Sequence, residues 1–160
     1  MCDYSLMAVP NRLAREGEEL VAYRFPTGSL GLASPADARR AAYTPPASRS
    51  LWANLKLFFS PPRNVPVPAV CIPPGARLRL DGISARMQAD LGVGPVEDVT
   101  FTQISAAANT YRDAVRFANG KQVRLQEWRE GLRVKVLDLS VADTLDLEAL
   151  RRELAEVVRL

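Results

Sequence analysis

The residue with the most chemical potential is Cys2, which directly follows the initial methionine in the opening stretch MCDYSL. A small residue at the second position favours removal of that methionine, which would leave a thiol and a free α-amine on one residue. Because an α-amine titrates near ~7.7–8.0, it could deprotonate the thiol, as in enzymes with an N-terminal nucleophile. Asp3 follows, however, and a neighbouring carboxylate raises a thiol pKa. We therefore favour a structural Cys2 at the start of a β-strand, and keep a catalytic Cys2 as the alternative.

The 160-residue chain contains no histidine, which narrows the possible chemistry. Without imidazole it can form no Ser-His-Asp triad, no Cys-His pair and no histidine-ligated metal site. The second cysteine, Cys71 in AVCIPP, is interpreted as a buried small hydrophobic residue, although a redox pair becomes possible if the fold brings it near Cys2. Two thiolates make a poor zinc site unless Asp3 or a second subunit completes it. We therefore expect neither a metal nor a cofactor.

Composition predicts one structural domain in a reducing compartment. Hydrophobic residues make up 48% of the chain and charged residues 24%, as in ordinary globular proteins. Two cysteines make no disulfide framework, and no secretory hydrophobic region precedes the first predicted strand. No apolar stretch approaches the ~18 residues of a membrane span. These features predict a cytoplasmic protein without a membrane span.

Basic residues are concentrated between residues 112 and 135, where seven basic and three acidic side chains give a local charge of +4, against +3 for the whole chain. Arginines on a curved sheet could bind phosphates or an acidic protein surface. Nucleic-acid-binding sheets usually interleave aromatic residues for base stacking, and only Trp128 is available for that role. We favour a solvated strand face over a nucleic-acid site. The candidate anion-binding residues are Arg112, Arg116, Arg124 and Arg133.

The segment SLWANLKLFFSPP, residues 50–62, is difficult to explain as ordinary surface. Its large apolar side chains could form one side of a short helix, and an exposed tether does not normally carry so many. It either packs on its own sheet, which we favour, or docks into another protein. A C-terminal amphipathic helix presents a second apolar stripe, with leucines at three- and four-residue steps. The candidate partner-binding residues of the two segments are Leu51, Trp52, Leu55, Phe58, Phe59, Leu150 and Leu154.

Eight of the 12 prolines lie between Pro45 and Pro74 and divide the chain into three parts. Residues 1–43 form an N-terminal β segment, 44–68 a proline-rich aromatic linker, and 69–160 a β-meander with the C-terminal helix, all within one structural domain.

Strands are predicted over residues 3–9, 19–25, 99–104 and 132–139, and short helices after Ser34 and Ser84, which can serve as N-caps. The glycines of PTGSLGLASP, residues 26–35, indicate a turn or bulge. Without helices between successive strands, a parallel sheet is unfavoured. The expected fold class is α+β, mainly an antiparallel sheet or partly open barrel.

The Asn119-Gly120 hairpin permits a sharper prediction. A two-residue loop would mix apolar and charged residues on both faces of the hairpin. A three-residue turn ending at Gly120 with a G1 bulge instead pairs Val115 with Val123 and Arg116 with Gln122. This register places apolar residues on one face and basic residues on the other.

The Met-Cys start superficially resembles class II glutamine amidotransferases and the SOS-response-associated peptidase family, which normally continue with glycine where this chain has Asp3. The wider arrangement of MCDYSL, NRLAREGEELV, FPTGSLGLASP and PGARL with FTQI and RDAVRFANG resembles a group of bacterial proteins of unknown function that open with the same six residues. That resemblance implies no activity or cofactor.

The leading hypothesis is a non-catalytic accessory or interaction protein that contacts a protein partner or a second copy of itself. The first alternative is an enzyme with Cys2 as nucleophile and Gln103, Asn109 or Arg112 orienting the substrate, of the amidohydrolase or amidotransferase type. The second is weak nucleic-acid binding through the arginine face.

Overall fold

The computed structural model describes residues 6, 8–42, 66–104 and 111–140. Cys2, the aromatic segment 50–62, Asn109 and the predicted C-terminal helix lie outside these ranges. Of the strand predicted over residues 3–9, the described residues Leu6, Ala8 and Val9 are not extended; the first strand instead begins at Asn11, just after Pro10.

The described chain contains nine strands, two α-helices and one 3₁₀ helix, and an α+β class fits. In chain order these elements are β1 Asn11–Leu13, β2 Glu19–Arg24, β3 Leu30–Ala33, α1 Pro35–Ala42, β4 Ala69–Cys71, β5 Arg77–Asp81, α2 Ala85–Leu91, β6 Val96–Gln103, β7 Asp113–Phe117, β8 Gln122–Arg124, the 3₁₀ helix Leu125–Glu127, and β9 Arg133–Asp138. Within these ranges no helix has the length and apolar character needed to cross a membrane.

Seven strands form one antiparallel sheet in the order β3-β2-β9-β5-β6-β7-β8, and β1 pairs in parallel with β4 in a separate two-stranded sheet. The meander prediction is wrong for β9. Instead of pairing with β8, which precedes it in the chain, β9 pairs with β2 on one side and β5 on the other. The chain leaves the sheet at the 3₁₀ helix and turns at Gly131, whose positive φ of 87° suits glycine. Because β9 alternates apolar and basic residues, its apolar face can pack in the core between β2 and β5 as well as it could beside β8.

The sheet curls until its two ends meet, and one side chain joins them. Gln126, in the 3₁₀ helix after β8, accepts a hydrogen bond from the Leu30 amide at 2.9 Å and donates one to the Leu30 carbonyl at 2.7 Å. Leu30 lies on β3, the opposite edge of the sheet. The carboxamide therefore replaces the backbone of a missing neighbouring strand, and the sheet forms a half-barrel bridged by a side chain.

The interior of the half-barrel is filled by alternate residues of its strands. Side chains exposed by 2% or less include Leu20, Leu30, Leu78, Leu80, Phe101, Val115, Val134 and Val136. A smaller cluster packs on the other side of β3, where Leu6, Phe25, Ala33, Val67 and Ala69 are buried together. The main core therefore lies inside the curl. The opposite face is covered by the small cluster at β3 and carries charged residues on β5, β6, β7 and β9.

The local predictions that rested on capping and turn chemistry are confirmed. Ser34 precedes α1 and accepts a hydrogen bond from the Asp37 amide at 3.1 Å. Ser84 caps α2, which ends at Gly92 in the left-handed conformation. In the β7–β8 hairpin Val115 pairs with Val123, and Gly120 has a φ of 84°, as the bulged three-residue loop requires.

The glycine-rich stretch 26–35 is only partly a turn. Gly28 has a positive φ of 83° and closes the β2–β3 turn, but Gly31 lies inside the buried strand β3. A Cβ at Gly31 would lie 2.6 Å from Leu6 Cδ1 and 3.0 Å from Phe25 Cε2. This glycine therefore permits close packing on the small cluster and does not break the strand, which is why its pattern misled the sequence-based prediction.

Candidate anion-binding face of the sheet

The outer face of the sheet carries its charged side chains in rows that run across the strands. Residues opposite each other on antiparallel strands point to the same face. One row runs from Asp138 on β9 to Arg77 on β5, Thr100 on β6, Arg116 on β7 and Gln122 on β8. The next runs from Asp98 on β6 to Arg79 on β5, Lys135 on β9 and Glu19 on β2. The fold thus brings together basic residues from distant parts of the chain.

The first row contains a shallow depression of about 360 Å³, which we call the Arg77–Arg116 cleft. Arg77 and Arg116 are its exposed cations, and Thr100 lies between them in the register. The remaining lining residues are Asp98, Val99, Phe117 and Ala118. Arg116 makes no ion pair or side-chain hydrogen bond within the described residues, so its guanidinium is available to a ligand.

The carboxylate beside the cleft, Asp98, is bound mainly by Arg79. Arg79 Nε donates to Asp98 Oδ1 at 2.8 Å and Nη2 donates to Oδ2 at 3.2 Å. Arg77 Nη2 lies 4.0 Å from Oδ2, at the limit of an ion pair. The hydrogen bond from Arg79 lowers the pKa of Asp98, and that bond also raises the pKa of Arg79. Asp98 therefore stays ionised. Its negative charge neutralises much of the positive charge of Arg79 but little of that of Arg77.

The four predicted anion-binding arginines fall in different surroundings. Arg124 pairs with Glu127 at 2.9 Å, and Arg133 pairs with Asp81 at 2.8 Å. Arg112 lies at the other end of β7, and its Nε is buried without a hydrogen-bond partner. Of these four, the fold brings only Arg116 into the cleft.

The cleft contains two residues that the sequence-based prediction did not select, Arg77 and Thr100. The RLRLD pattern of β5 alternates basic and apolar residues, with Leu78 and Leu80 buried and both arginines exposed. This alternation could have placed Arg77 and Arg79 on the outer face. Their position beside Arg116 could not have been found, because it depends on which strands pair.

A second depression, of about 240 Å³, lies further along the same face, over β2, β5 and β9. Lys135, Arg79 and Arg133 line it, together with the carboxylates of Glu19 and Asp81. Its lining therefore carries a net charge of +1, and Arg133 is already paired with Asp81.

The residues considered for catalysis are not assembled into a described site. Cys71 is buried, as predicted, but its interpretation as a simple small hydrophobic residue is wrong, because it is disulfide-bonded; the one other cysteine in the sequence, Cys2, lies outside the described residues. Gln103 donates a hydrogen bond to Asp113 at 3.1 Å. In the part of the chain that the structure covers, no three histidine, cysteine, aspartate or glutamate side chains are grouped to hold a metal ion.

No protein family matches the chain, and neither a curated protein nor a solved structure is significantly similar to it. No residue role is therefore carried over from another protein.

Proposed function

We propose that the protein is a non-catalytic binding protein whose outer sheet face recognises an acidic segment of a partner protein. One observation supports this proposal: four cations, Arg77, Arg79, Arg116 and Lys135, project from two adjacent rows whose three carboxylates are Asp98, Glu19 and Asp138. The two rows therefore carry a net charge of +1.

The spacing of these cations suits an extended polypeptide. Arg77 and Arg79 lie two residues apart on β5, so their positions are separated by about 6.8 Å along the strand. Alternate side chains of an extended ligand have the same separation. Carboxylates two residues apart on the partner could therefore meet both rows at once.

The surroundings of one aromatic residue and of two arginines favour a protein partner over nucleic acid. Trp128, the aromatic residue that might have stacked on a base, is 4% exposed and packs in the core. Arg124 and Arg133, two of the arginines that might have contacted a phosphate backbone, already pair with carboxylates. Electrostatic binding of nucleic acid needs several phosphates neutralised together, whereas an acidic peptide needs only a few matched pairs.

The proposal is tested with a fluorescein-labelled peptide of alternating glutamate and serine, titrated by fluorescence anisotropy. Charge reversal at Arg116 or Lys135 should weaken binding at least tenfold, since each change turns an attraction into a repulsion. The control Arg86→Glu changes the same charge on α2, at a side chain that is 94% exposed and lines neither depression, and should change the affinity less than twofold.

A single-stranded oligonucleotide of matched charge is the comparison ligand. Tighter binding of the oligonucleotide, lost with Arg116, would replace the proposal by nucleic-acid binding. Equal effects of Arg86→Glu and Arg116→Glu would show that only net charge matters and would refute a specific face. The aromatic segment 50–62, the C-terminal leucines and Cys2 remain sequence-based predictions that this experiment does not address.

A further inference from the structure

We propose that the Arg77–Arg116 cleft is a subsite for a phosphate monoester, presented as a phosphorylated side chain of the partner segment. This inference rests on the proposed function, because it assigns one chemical group of the same ligand to one part of the same face. It goes further in naming dianionic phosphate as the group that the cleft is built to take.

The geometry of the row supports a ligand that contacts both arginines. Arg77 and Arg116 each lie opposite Thr100, on the strands to either side of it. Adjacent strands are about 4.8 Å apart, so the two arginine backbones are separated by about 10 Å with the threonine between them. Two arginine side chains leaning inward from that distance leave room for one compact anion above the Thr100 hydroxyl, which can donate a third hydrogen bond.

Phosphate matches this donor set better than carboxylate does. A carboxylate has two oxygens in one plane, and a single guanidinium fork satisfies them. A phosphate monoester carries three acceptor oxygens and a charge near −2 at pH 7. It can therefore accept from two guanidinium groups and a hydroxyl together, and it neutralises both cations.

Carboxylates close to the cleft limit its affinity without blocking it. Asp98 lines the cleft but is held by two hydrogen bonds from Arg79. Asp138 lies opposite Arg77 on β9 and accepts hydrogen bonds from the Ser140 hydroxyl at 2.6 Å and the Ser140 amide at 2.8 Å. With Arg77, Arg79 and Arg116 against these two carboxylates, the surroundings of the cleft keep a net charge of +1. Replacing Asp98 by asparagine should therefore tighten phosphate binding.

The experiment compares three peptides of one glycine-serine sequence that carry serine, glutamate or phosphoserine at a central position, with inorganic phosphate as a fourth ligand. Binding is followed by amide chemical shifts in ¹⁵N-labelled protein at constant ionic strength. The phosphoserine peptide should bind at least tenfold more tightly than the glutamate peptide, with the largest shifts at Thr100 and Arg116. It should also bind more tightly than inorganic phosphate; the reverse order would overturn the assignment to a phosphorylated side chain in favour of a free phosphate ligand.

Variants separate the cleft from the general charge of the protein. Arg77→Gln and Arg116→Gln should each weaken binding of the phosphoserine peptide about tenfold, since each removes charge-assisted hydrogen bonds. Arg116→Lys should recover only part of the loss, because the ammonium keeps the charge without the fork. Asp98→Asn should bind about threefold more tightly, while the control Arg86→Gln should stay within twofold of the wild type.

The two proposals fail in different ways. If the phosphoserine and glutamate peptides bind equally and both need Arg116, the phosphate subsite is refuted and the acidic-segment surface stands. If the phosphoserine peptide binds but Arg116→Gln has no effect, the cleft is not the subsite. If the phosphoserine peptide binds through Arg77 and Arg116 while the alternating glutamate peptide does not bind, the subsite stands and the wider proposal falls.

Discussion

The bridge made by Gln126 across the two ends of the sheet predicts that Gln126→Ala will destabilise the protein strongly for a half-exposed polar residue. The Phe25 amide donates to the Ser29 carbonyl at 2.9 Å. In an antiparallel pair, hydrogen-bonded and non-hydrogen-bonded positions alternate. Leu30, one residue further on, therefore points its amide and carbonyl away from β2 and towards Gln126. Removal of the carboxamide leaves both of these buried groups without their partner.

The magnitude follows from those two hydrogen bonds. Leaving a buried backbone group unsatisfied costs about 1–3 kcal/mol, and Leu30 is 1% exposed. In the variant, water can partly rehydrate the Leu30 amide and carbonyl at the edge of β3, which reduces the sum of the two costs. We therefore expect a loss of about 3 kcal/mol in the free energy of unfolding. For a protein of this length that corresponds to a fall in Tm of about 6–12 °C.

Urea unfolding and amide hydrogen exchange measure the two parts of this prediction. Gln126→Ala should lower the free energy of unfolding by about 3 kcal/mol and make the Leu30 amide exchange much faster. The matched control is Gln122→Ala on β8, whose exposed side chain makes no hydrogen bond within the described residues and whose loss should cost less than about 0.5 kcal/mol. Equal stability of the two variants, or a Leu30 amide that stays protected in Gln126→Ala, would refute the bridge.

Three further predictions concern the stability and chemistry of the fold. Hydrogen bonds from Arg12 lower the pKa of Glu18, so its ionised form stabilises the protein above its unfolded pKa of about 4.3, and this contribution is lost as pH falls through the lower folded value. Glu18→Gln should therefore be less stable at pH 7, by about 1 kcal/mol, and the difference should shrink below about pH 4; a pH-independent difference in urea unfolding would contradict it. Cys71, as a disulfide-bonded residue, should resist iodoacetamide until a reductant is added, and mass spectrometry of an unreduced digest should recover its peptide cross-linked; alkylation of Cys71 without reductant would disprove the bond. Gly31→Ala should lower Tm, because its Cβ would meet the Phe25 ring at 3.0 Å, whereas an unchanged Tm would mean that the small cluster yields freely.

The parts of this fold that depend on local chemistry could be predicted from the sequence. Ser84 caps α2 because its side chain can accept from a helix amide, and Gly120 ends the β7–β8 turn because it tolerates a positive φ. Both causes act within a few residues, so the local sequence is enough to predict these features. The hairpin register followed in the same way, from keeping Val115 and Val123 on one face.

The arrangement of strands could not be predicted in this way. The apolar face of β9 would pack as well beside β8 as between β2 and β5, and nothing local chooses between them. The bridge by Gln126 depends on a glutamine and a strand that lie 96 residues apart. The Arg77–Arg116 cleft was missed for the same reason, since it exists only once β6 separates β5 from β7.

The position of β9 affects both the core and the outer face of the sheet. By joining β2 to β5 it brings Val134 and Val136 into the interior, where they pack with Leu78, Leu80 and other buried residues at nearly zero exposure. Within the described ranges, the interior of the half-barrel is therefore filled by its own side chains. The same strand places Lys135 beside Arg79 on the outer face, so the pairing that fills the core also completes the second basic row. Packing of the core and assembly of that row therefore have one structural cause, and a substitution that displaced β9 would disturb the core and separate Lys135 from Arg79.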